Sequence, residues 1–365
     1  MATLSRIVVQ DFRNISLGEI SFSPNINCIS GNNGEGKTNL MDAIWYLSMC
    51  KSAFSNTDKF NFRYGTDAFS LSGTYKMDSG TESVFSMKVT ASGEKKLRRD
   101  DKPYPRISEH IGELPIVMVS PSDTVLVSDS GEERRKFLNA VLSQLDREYL
   151  SDIQMYNRLL LQRNKILKED NPDPSLLEVF DMRMGPMAGR IYSARKAFID
   201  SLSPVVSGYY SMISGQKESI SIGYVSDLSK GSLEEVLLSH REKDNALRYT
   251  TAGVHRDDLD FMLNGYPIRR CGSQGQQKSF LVALKFAQYE IMKRGYGFPP
   301  MLLLDDVFDK LDLGRISNLL SMVAGTEFGQ IFITDSNKVR LRSIVDGITA
   351  DRAYIETVGG TFTRE

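Results

Sequence analysis

The sequence predicts an α/β fold in which one lobe contains mixed sheets and a second lobe is largely helical. Residues 25–49 read as a short apolar strand, a glycine-rich turn and a helix. Apolar runs at residues 301–304 and 330–335 have the length and composition of buried strands. Apolar side chains recur at three- and four-residue intervals in residues 131–168 and 175–201, which predicts amphipathic helices. The helical lobe is therefore expected to be an insertion within the sequence of the sheet lobe.

The prolines of the helical region limit how far this lobe can extend. Pro172 and Pro174 interrupt the helical pattern, so we expect a compact lobe and no long coiled coil. Short alternating segments within residues 54–102 predict a small antiparallel sheet in the other lobe. We expect these domain bounds: residues 1–121 with residues 296–365 for the sheet lobe, and residues 122–295 for the helical lobe.

The composition is that of an ordinary globular protein. The chain has 365 residues, 41% of them hydrophobic, and a formal net charge of −1. No apolar run approaches the roughly 18 residues of a membrane span, and the N-terminus lacks the core of a signal peptide. The three cysteines form neither a disulfide framework nor a Cys-x-x-Cys site. We expect a cytoplasmic protein without membrane association, and any nucleic-acid partner must be held by a local basic surface.

The glycine-rich turn at residues 31–38 predicts a phosphate site, because it fits G-x-x-x-x-G-K-[ST] between a strand and a helix. Glycines allow backbone amides to enclose phosphate oxygens, Lys37 can reach the β- and γ-phosphates, and the Thr38 hydroxyl can hold Mg2+. A chance glycine-rich turn is the alternative, which the flanking strand and helix disfavour. The expected nucleotide-binding residues of this P-loop are Gly31, Asn32, Asn33, Gly34, Glu35, Gly36, Lys37 and Thr38.

A second glycine-containing loop precedes a helix expected at residues 279–293. Ser273, Gly275 and Gln276 would present another phosphate-binding surface at a helix N-terminus. One chain needs a single such loop for its own nucleotide, so the second is expected to serve the ATP of a neighbouring copy, with Ser273 acting in catalysis there.

Carboxylates follow the strand at residues 301–304. Asp305 at the strand end is expected to hold Mg2+, and Asp306 to orient and polarise the attacking water. Asp309 and Asp312 follow a few residues later. Thr334, at the end of the next apolar strand, is expected near the γ-phosphate. Asp306, Lys37 and Ser273 are thus the candidate catalytic residues.

Several basic residues are candidates for phosphate or DNA contact. Arg13 precedes a hairpin turn and can fold back toward nucleotide phosphates, although a solvated surface arginine is an equal alternative. A basic cluster can contact a DNA backbone or can merely protect a hairpin edge from aggregation. His255 and Arg256 are candidates for a structural or phosphate-side role. The cluster comprises Lys95, Lys96, Arg98, Arg99, Lys102 and Arg106.

Arginines in the helical region make this lobe a second DNA-facing candidate. We expect them to be exposed, although solvated helix faces are commonly rich in arginine. They are Arg134, Arg135, Arg158, Arg163, Arg183, Arg190 and Arg195.

The order of these elements is itself informative. A P-loop, a serine-glycine loop, an aliphatic strand ending in Asp-Asp and an aliphatic strand ending in threonine occur in this order in ABC-type ATPases. In those proteins two heads sandwich two ATP molecules between one P-loop and the opposite signature loop. The serine-glycine loop is called the signature loop from here on.

The chain closely resembles the bacterial RecF family of the SMC-like branch of ABC ATPases. Departures are Ser122 where the family usually has Glu, Asn139 where it has Asp, Val254 where it has Pro, and residues 129–131 in place of a Gly-Ser-Pro turn. None of them touches the phosphate-binding residues. The resemblance is carried by residues 11–14, 31–38, 119–123, 134–138, 250–259, 273–278 and 302–312.

The resemblance implies an ATP-dependent homodimer on DNA that acts at single-strand gaps in gapped duplexes. It implies partnership with RecR and RecO in loading RecA, and a place in DNA repair, replication and the SOS response. It also implies that Asp305 is the Walker B acid and Asp306 the catalytic carboxylate. Turnover is left open, with a slow DNA-stimulated ATPase switch as the expectation. Two alternatives are the ATP-binding subunit of a transporter and a non-hydrolysing ATP-binding scaffold.

Overall fold

The computed structural model describes residues 2–128, 131–216, 218–307, 328–347, 349 and 351–365. Asp309, Asp312 and the departure at residues 129–130 lie outside the described residues. The chain is an α/β protein that divides into two compact units, one formed by Met1–Asp123 with Gln288–Glu365 and the other by Thr124–Ala287. No helix in the described part is both long and apolar enough to cross a membrane.

The strands are β1 (Thr3–Phe12), β2 (Ile15–Ser21), β3 (Ile26–Ser30), β4 (Ala68–Lys76), β5 (Glu82–Thr90), β6 (Lys95–Arg99), β7 (Lys102–Pro103), β8 (Ile116–Val119), β9 (Ile220–Val225), β10 (Asp258–Leu263), β11 (Tyr266–Pro267), β12 (Met301–Leu304), β13 (Ile331–Asp335), β14 (Arg352–Val358) and β15 (Thr361–Arg364). The helices are α1 (Lys37–Met49), α2 (Val125–Ser128), α3 (Gly131–Leu145), α4 (Arg147–Ile166), α5 (Pro174–Ser214), α6 (Leu233–Ser239), α7 (Arg241–Leu247), α8 (Ile268–Cys271), α9 (Gln274–Tyr296) and α10 (Lys338–Val345).

The first unit contains an antiparallel six-stranded sheet with the order β2-β1-β4-β5-β6-β7. Buried and more exposed residues alternate along β4 and β5, since successive side chains of a strand point to opposite faces. Phe69, Leu71 and Phe85 lie on the buried face, whereas Ser70 and Ser72 lie on the outer face. The small antiparallel sheet predicted from sequence is confirmed.

A second six-stranded sheet in this unit has the order β15-β14-β3-β13-β12-β8. Strands β14, β3, β13, β12 and β8 run parallel, and β15 is antiparallel to β14. Every residue of β3, β12 and β13 is buried, as expected where a parallel sheet is covered on both faces. Because these strands are parallel, the residues that follow β3, β12 and β13 meet at one edge of the sheet.

The second unit contains helices α3 to α7 and a three-stranded antiparallel sheet in the order β11-β10-β9. The expectation of a helix ending near residue 201 was too short, because α5 spans 41 residues and continues past two internal prolines, Pro186 and Pro204. The turn after β10 has positive φ at Asn264 (49°) and Gly265 (81°), as an Asn-Gly hairpin turn requires. The described residues contain no long coiled coil, and the predicted fold class is confirmed.

The prediction that all seven helical-lobe arginines are exposed was wrong for Arg134, Arg163 and Arg195, which are buried. Arg163 donates from Nε to Asp181 at 2.6 Å and from Nη1 to Asp244 at 2.8 Å. Burying a guanidinium is tolerated only where carboxylates and hydrogen bonds replace its water. Arg163 thus links α4 to α5 and α7, and burial excludes all three side chains as DNA contacts.

Candidate nucleotide site

The P-loop connects the end of β3 at Ser30 to the start of α1 at Lys37. Gly36 caps the helix with φ 111°, no side chain caps the N-terminus, and the first turn carries no acidic residue. The first amides of α1 and the positive end of its dipole are therefore suited to an anion. At Gly31 a Cβ would lie 2.5 Å from the carbonyl oxygen of Thr357, so only glycine fits there.

Lys37 lies across the P-loop. Its Nζ donates to the carbonyl oxygens of Gly31 at 2.8 Å and Asn32 at 3.0 Å, and the residue is only 4% exposed. A phosphate oxygen forms a stronger, charge-assisted hydrogen bond than either carbonyl. The lysine is therefore suited to exchange these carbonyls for nucleotide phosphate oxygens.

Asp305 is the centre of a buried polar cluster. The Thr38 hydroxyl lies 3.1 and 3.0 Å from its two carboxylate oxygens, and the Thr334 hydroxyl donates to Oδ1 at 2.8 Å. The pKa of Asp305 is raised to about 6, mainly because the carboxylate is buried and also because Asp306 lies nearby, while the hydrogen bonds from Thr334 and Thr38 and the charge of Lys37 oppose the rise. A positive ion would relieve this cost of burying the carboxylate.

One carboxylate and one hydroxyl fit Mg2+, which keeps several waters and takes further oxygens from nucleotide phosphates. Thr38 and Asp305 supply such a pair. No group of three or more His, Cys, Asp or Glu side chains that could hold a metal occurs in the described residues. Thr38 and Asp305 thus offer Mg2+ two oxygen ligands, and nucleotide phosphates can supply others.

Asp306 adopts a positive φ of 45° and is partly exposed. Its backbone amide donates to the Thr334 hydroxyl at 2.9 Å, so Thr334 ties together both acidic residues after β12. The structure thus brings Lys37, Thr38, Asp305, Asp306 and Thr334 together at one edge of the sheet. Their individual chemical roles stay predictions.

Arg13 lies beside α1. Its guanidinium forms an ion pair with Asp42 at 2.7 Å and donates to Ser52 at 3.0 Å and to Asn39 at 3.3 Å. Burial raises the pKa of the fully buried Asp42, and Arg13 opposes the rise. Arg13 reaches the first turn of α1 through Asn39, and a direct phosphate contact by Arg13 stays a prediction.

The signature loop lies in the second unit and is ordered by a capping box. The amide of Gln276 donates to the Ser273 hydroxyl at 3.3 Å, and the amide of Ser273 donates to Oε1 of Gln276 at 2.7 Å. Nε2 of Gln276 also donates to Glu218 at 2.7 Å. Helix α9 begins at Gln274, so Gly275 and Gln276 lie in its first turn and the expected start at residue 279 was wrong. The Ser-x-x-Gln pattern of a capping box could have predicted from the sequence that the helix begins directly after Ser273.

Comparison with known proteins shows which family this chain resembles. Residues 3–349 match the family model described as RecF/RecN/SMC N terminal domain. A relative from Bacteroides fragilis, "DNA replication and repair protein RecF", is 42% identical over 98% of this chain and 97% of its own length. A protein of the same name from Parabacteroides distasonis is 41% identical over 98% of both chains.

The chain belongs to the RecF family. A solved structure of the recombination mediator protein RecF-ATP in the RecFOR pathway superposes with a TM-score of 0.89 at 28% identity, covering 100% of this chain and 98% of that one. The corresponding RecF-ATPrS structure gives a TM-score of 0.87 at 27% identity, with the same coverage. An Smc head domain from Pyrococcus furiosus shares the fold alone, with a TM-score of 0.59 at 14% identity.

In this RecF-family chain, sequence reasoning missed the partners of the P-loop carbonyl oxygens. Asn14 donates to the carbonyl of Gly34 at 3.3 Å, and Thr357 donates to the carbonyl of Glu35 at 3.0 Å. Asn14 belongs to a motif that sequence analysis singled out, although its contact with the loop carried no sequence signal. Nothing in the sequence around Thr357 predicts its contact with the P-loop.

The basic cluster of the RecF-family chain is divided by strand alternation. Lys95 and Arg99 share a face of β6 with the buried Leu97, and they pair with Asp58 at 2.7 Å and Glu113 at 3.2 Å. The intervening residues Lys96 and Arg98 are exposed on the outer face. The DNA-contact hypothesis therefore concerns Lys96 and Arg98.

His255 and Arg256 differ in exposure: His255 is half-buried, whereas Arg256 is exposed. The imidazole Nδ1 lies 2.9 Å from the Tyr156 hydroxyl, and Nε2 lies 3.1 Å from the carbonyl of Thr250. Burial lowers the pKa of His255 to about 4, so the ring is neutral near pH 7. Arg256 stacks over Tyr249 at 5.2 Å. The contacts of His255 support its structural reading.

Proposed function

We propose that this chain is an ATP-dependent DNA-binding protein with a role in DNA replication and repair. The observation that carries the proposal is the meeting of Lys37, Thr38 and Asp305 beside an uncapped helix N-terminus that follows a glycine loop. A role in replication and repair is supported by the names of its relatives. ATP binding is supported by the related solved structure of RecF-ATP.

In the proposed cycle, the P-loop amides and Lys37 bind the phosphates of ATP, and Thr38 and Asp305 hold Mg2+. The metal, when bound, neutralises charge on the β- and γ-phosphates. Asp306 orients the attacking water, and the signature loop residues Ser273, Gly275 and Gln276 of a second copy complete the site in trans. The sheet lobe and the helical lobe of each copy thus supply different halves of two shared sites.

The closed homodimer holds DNA at single-strand gaps, and hydrolysis, slow and stimulated by DNA, releases it. Because ATP binds both halves only in the closed form, its differential affinity drives closure. We further propose that the dimer works with RecR and RecO to load RecA in the SOS response, in the cytoplasm. The context is the RecFOR pathway of the related solved structures.

ATP binding is the first test. Equilibrium titration with a fluorescent ATP analogue and Mg2+ should give saturable binding to the wild type. Lys37→Ala should weaken it roughly 10- to 100-fold, since it removes charge-assisted hydrogen bonds worth about 1.5–3 kcal/mol. Lys102→Ala, which changes an exposed lysine of β7, is the matched control. Equal affinity of the Lys37 and Lys102 variants would overturn the nucleotide assignment.

Measuring ATP hydrolysis distinguishes an ATPase switch from a scaffold that binds ATP without hydrolysing it. Multiple-turnover phosphate release with gapped duplex DNA should be lost in Asp306→Asn while ATP binding is retained. Absence of any turnover by the wild type with DNA would favour the scaffold. The transporter alternative is disfavoured by membership of the RecF family.

A further inference from the structure

The C-terminal hairpin, formed by β14, the turn at Gly359 and Gly360, and β15, contacts the P-loop directly. Thr357 Oγ1 and the amide of Gly360 both donate to the carbonyl oxygen of Glu35, at 3.0 and 2.9 Å. The amide of Gly359 donates to the carboxylate of the same Glu35. The fifth residue of the P-loop is therefore held through both its backbone and its side chain.

These segments approach each other at backbone distance. A Cβ at Gly31 would lie 2.5 Å from the carbonyl oxygen of Thr357. A Cβ at Gly360, where φ is 79°, would lie 2.6 Å from the carbonyl oxygen of Asn14. Neither position has room for a side chain. The P-loop, the β1–β2 turn and the hairpin turn thus pack with their backbones in contact.

The direction of these hydrogen bonds has a consequence for the loop. The carbonyl oxygens of Gly31 and Asn32 accept hydrogen bonds from Lys37. In the following peptides, at Gly34 and Glu35, an N–H group that faces a phosphate leaves the carbonyl oxygen of the same peptide facing away from it, where it needs another donor. The outward carbonyl of Gly34 receives its hydrogen bond from Asn14 at 3.3 Å, and that of Glu35 receives two from the hairpin. The donors that satisfy the back of the loop therefore determine which way its amides point.

Strand pairing fixes the hairpin in register with the P-loop. Strand β14 is parallel to β3, with Ile355 opposite Ile29 and Glu356 opposite Ser30, the last residue before the loop. The donors at residues 357–360 follow directly on the neighbouring strand. The residues matched by the family model end at 349, so the hairpin lies beyond them.

We propose that the C-terminal hairpin is a positioning element for the nucleotide site. Thr357, Gly359 and Gly360 do not touch the nucleotide; they act through Glu35 to hold the P-loop amides facing inward before the phosphates arrive. The inference rests on the proposed ATP binding for its effect on affinity. A loop ordered in advance binds more tightly because less conformational freedom is lost on binding.

The test compares two threonines of the same hairpin. Thr357→Val removes the hydroxyl that reaches Glu35 and keeps the side-chain shape. Thr361→Val removes a hydroxyl that donates to Val358 within the hairpin. ATP affinity should fall about 2- to 10-fold in Thr357→Val, the range expected for one hydrogen bond. It should be unchanged in Thr361→Val and restored in Thr357→Ser.

A measurement without nucleotide makes the inference independent of ATP binding. Hydrogen exchange of the amides in residues 32–38 should be faster in nucleotide-free Thr357→Val than in the wild type and in Thr361→Val, with matching melting temperatures. Equal exchange in the two valine variants would overturn the positioning role. A wild type that binds no ATP yet shows the exchange difference would refute the proposed function and leave the hairpin's action on the loop intact.

Discussion

Burial sets the charge state of single residues, and His255 is the clearest case. Its pKa falls to about 4, so the unfolded chain, with a histidine pKa near 6.5, binds more protons between these values. The contribution of His255 to the free energy of unfolding should therefore fall as the pH falls, by about 2 kcal/mol between pH 7.5 and pH 5. Urea titrations at both pH values give the free energy of unfolding of the wild type and of His255→Asn. The change between the two pH values should be smaller in His255→Asn. The same change in both proteins would contradict a neutral imidazole at His255.

At the scale of elements, the outer face of the first sheet carries the exposed cations. Register places Lys88 opposite Lys96 and Ser86 opposite Arg98, so that cations and a hydroxyl share this face. If this surface binds DNA, Lys96→Ala and Arg98→Ala should each reduce the slope of log K against log salt by about 0.9 on duplex DNA. Binding measured at several salt concentrations gives the slope.

Two inward-facing neighbours serve as controls. Lys95 and Arg99 lie on the opposite face of β6 and pair there with Asp58 and Glu113, so their alanine variants should leave the salt slope unchanged. If all four variants reduce the slope equally, the cause is unfolding or the loss of overall positive charge. Direct phosphate contacts by the outer face would then be contradicted. No change for any of them would place the DNA elsewhere.

At the scale of the whole molecule, the signature loop gives a test of assembly. Ser273→Arg puts a long side chain into the space where a partner's phosphate is expected. Its bulk should prevent the dimer while leaving ATP binding by the monomer intact. Sedimentation velocity with ATP and Mg2+, with and without a gapped duplex, measures this. A variant that dimerises like the wild type would refute the trans assignment.

Local chemistry made much of the architecture predictable. Strand β12 and the P-loop were identified because buried parallel strands are continuously apolar and phosphate loops need glycine at fixed spacing. The predictions that were wrong concerned features that depend on residues far apart in the sequence. Arg163 was expected to be exposed, and its partner Asp244 lies 81 positions away. The expected helix already included Pro186, but its continuation past residue 201 and through Pro204 was missed.

The same limit applies to the nucleotide site. The P-loop, Asp305 and Thr334 were each evident from their own neighbourhoods, and parallel pairing brought them together. The capping of Ser273 by Gln276 has a local signature. The contact of Thr357 with Glu35 has none, because it depends on which strand becomes the neighbour of β3.

The sheet order has a consequence for synthesis on the ribosome. Strand β3 is flanked by β13 and β14, and Thr357 is 322 positions beyond Glu35. At about 5–20 residues per second, translation needs roughly 15–60 s to reach the hairpin after the P-loop has been made. For most of that interval the nascent strand lacks β13, and for all of it the strand lacks the complete β14. The phosphate loop therefore leaves the ribosome well before the strands that give it its final shape.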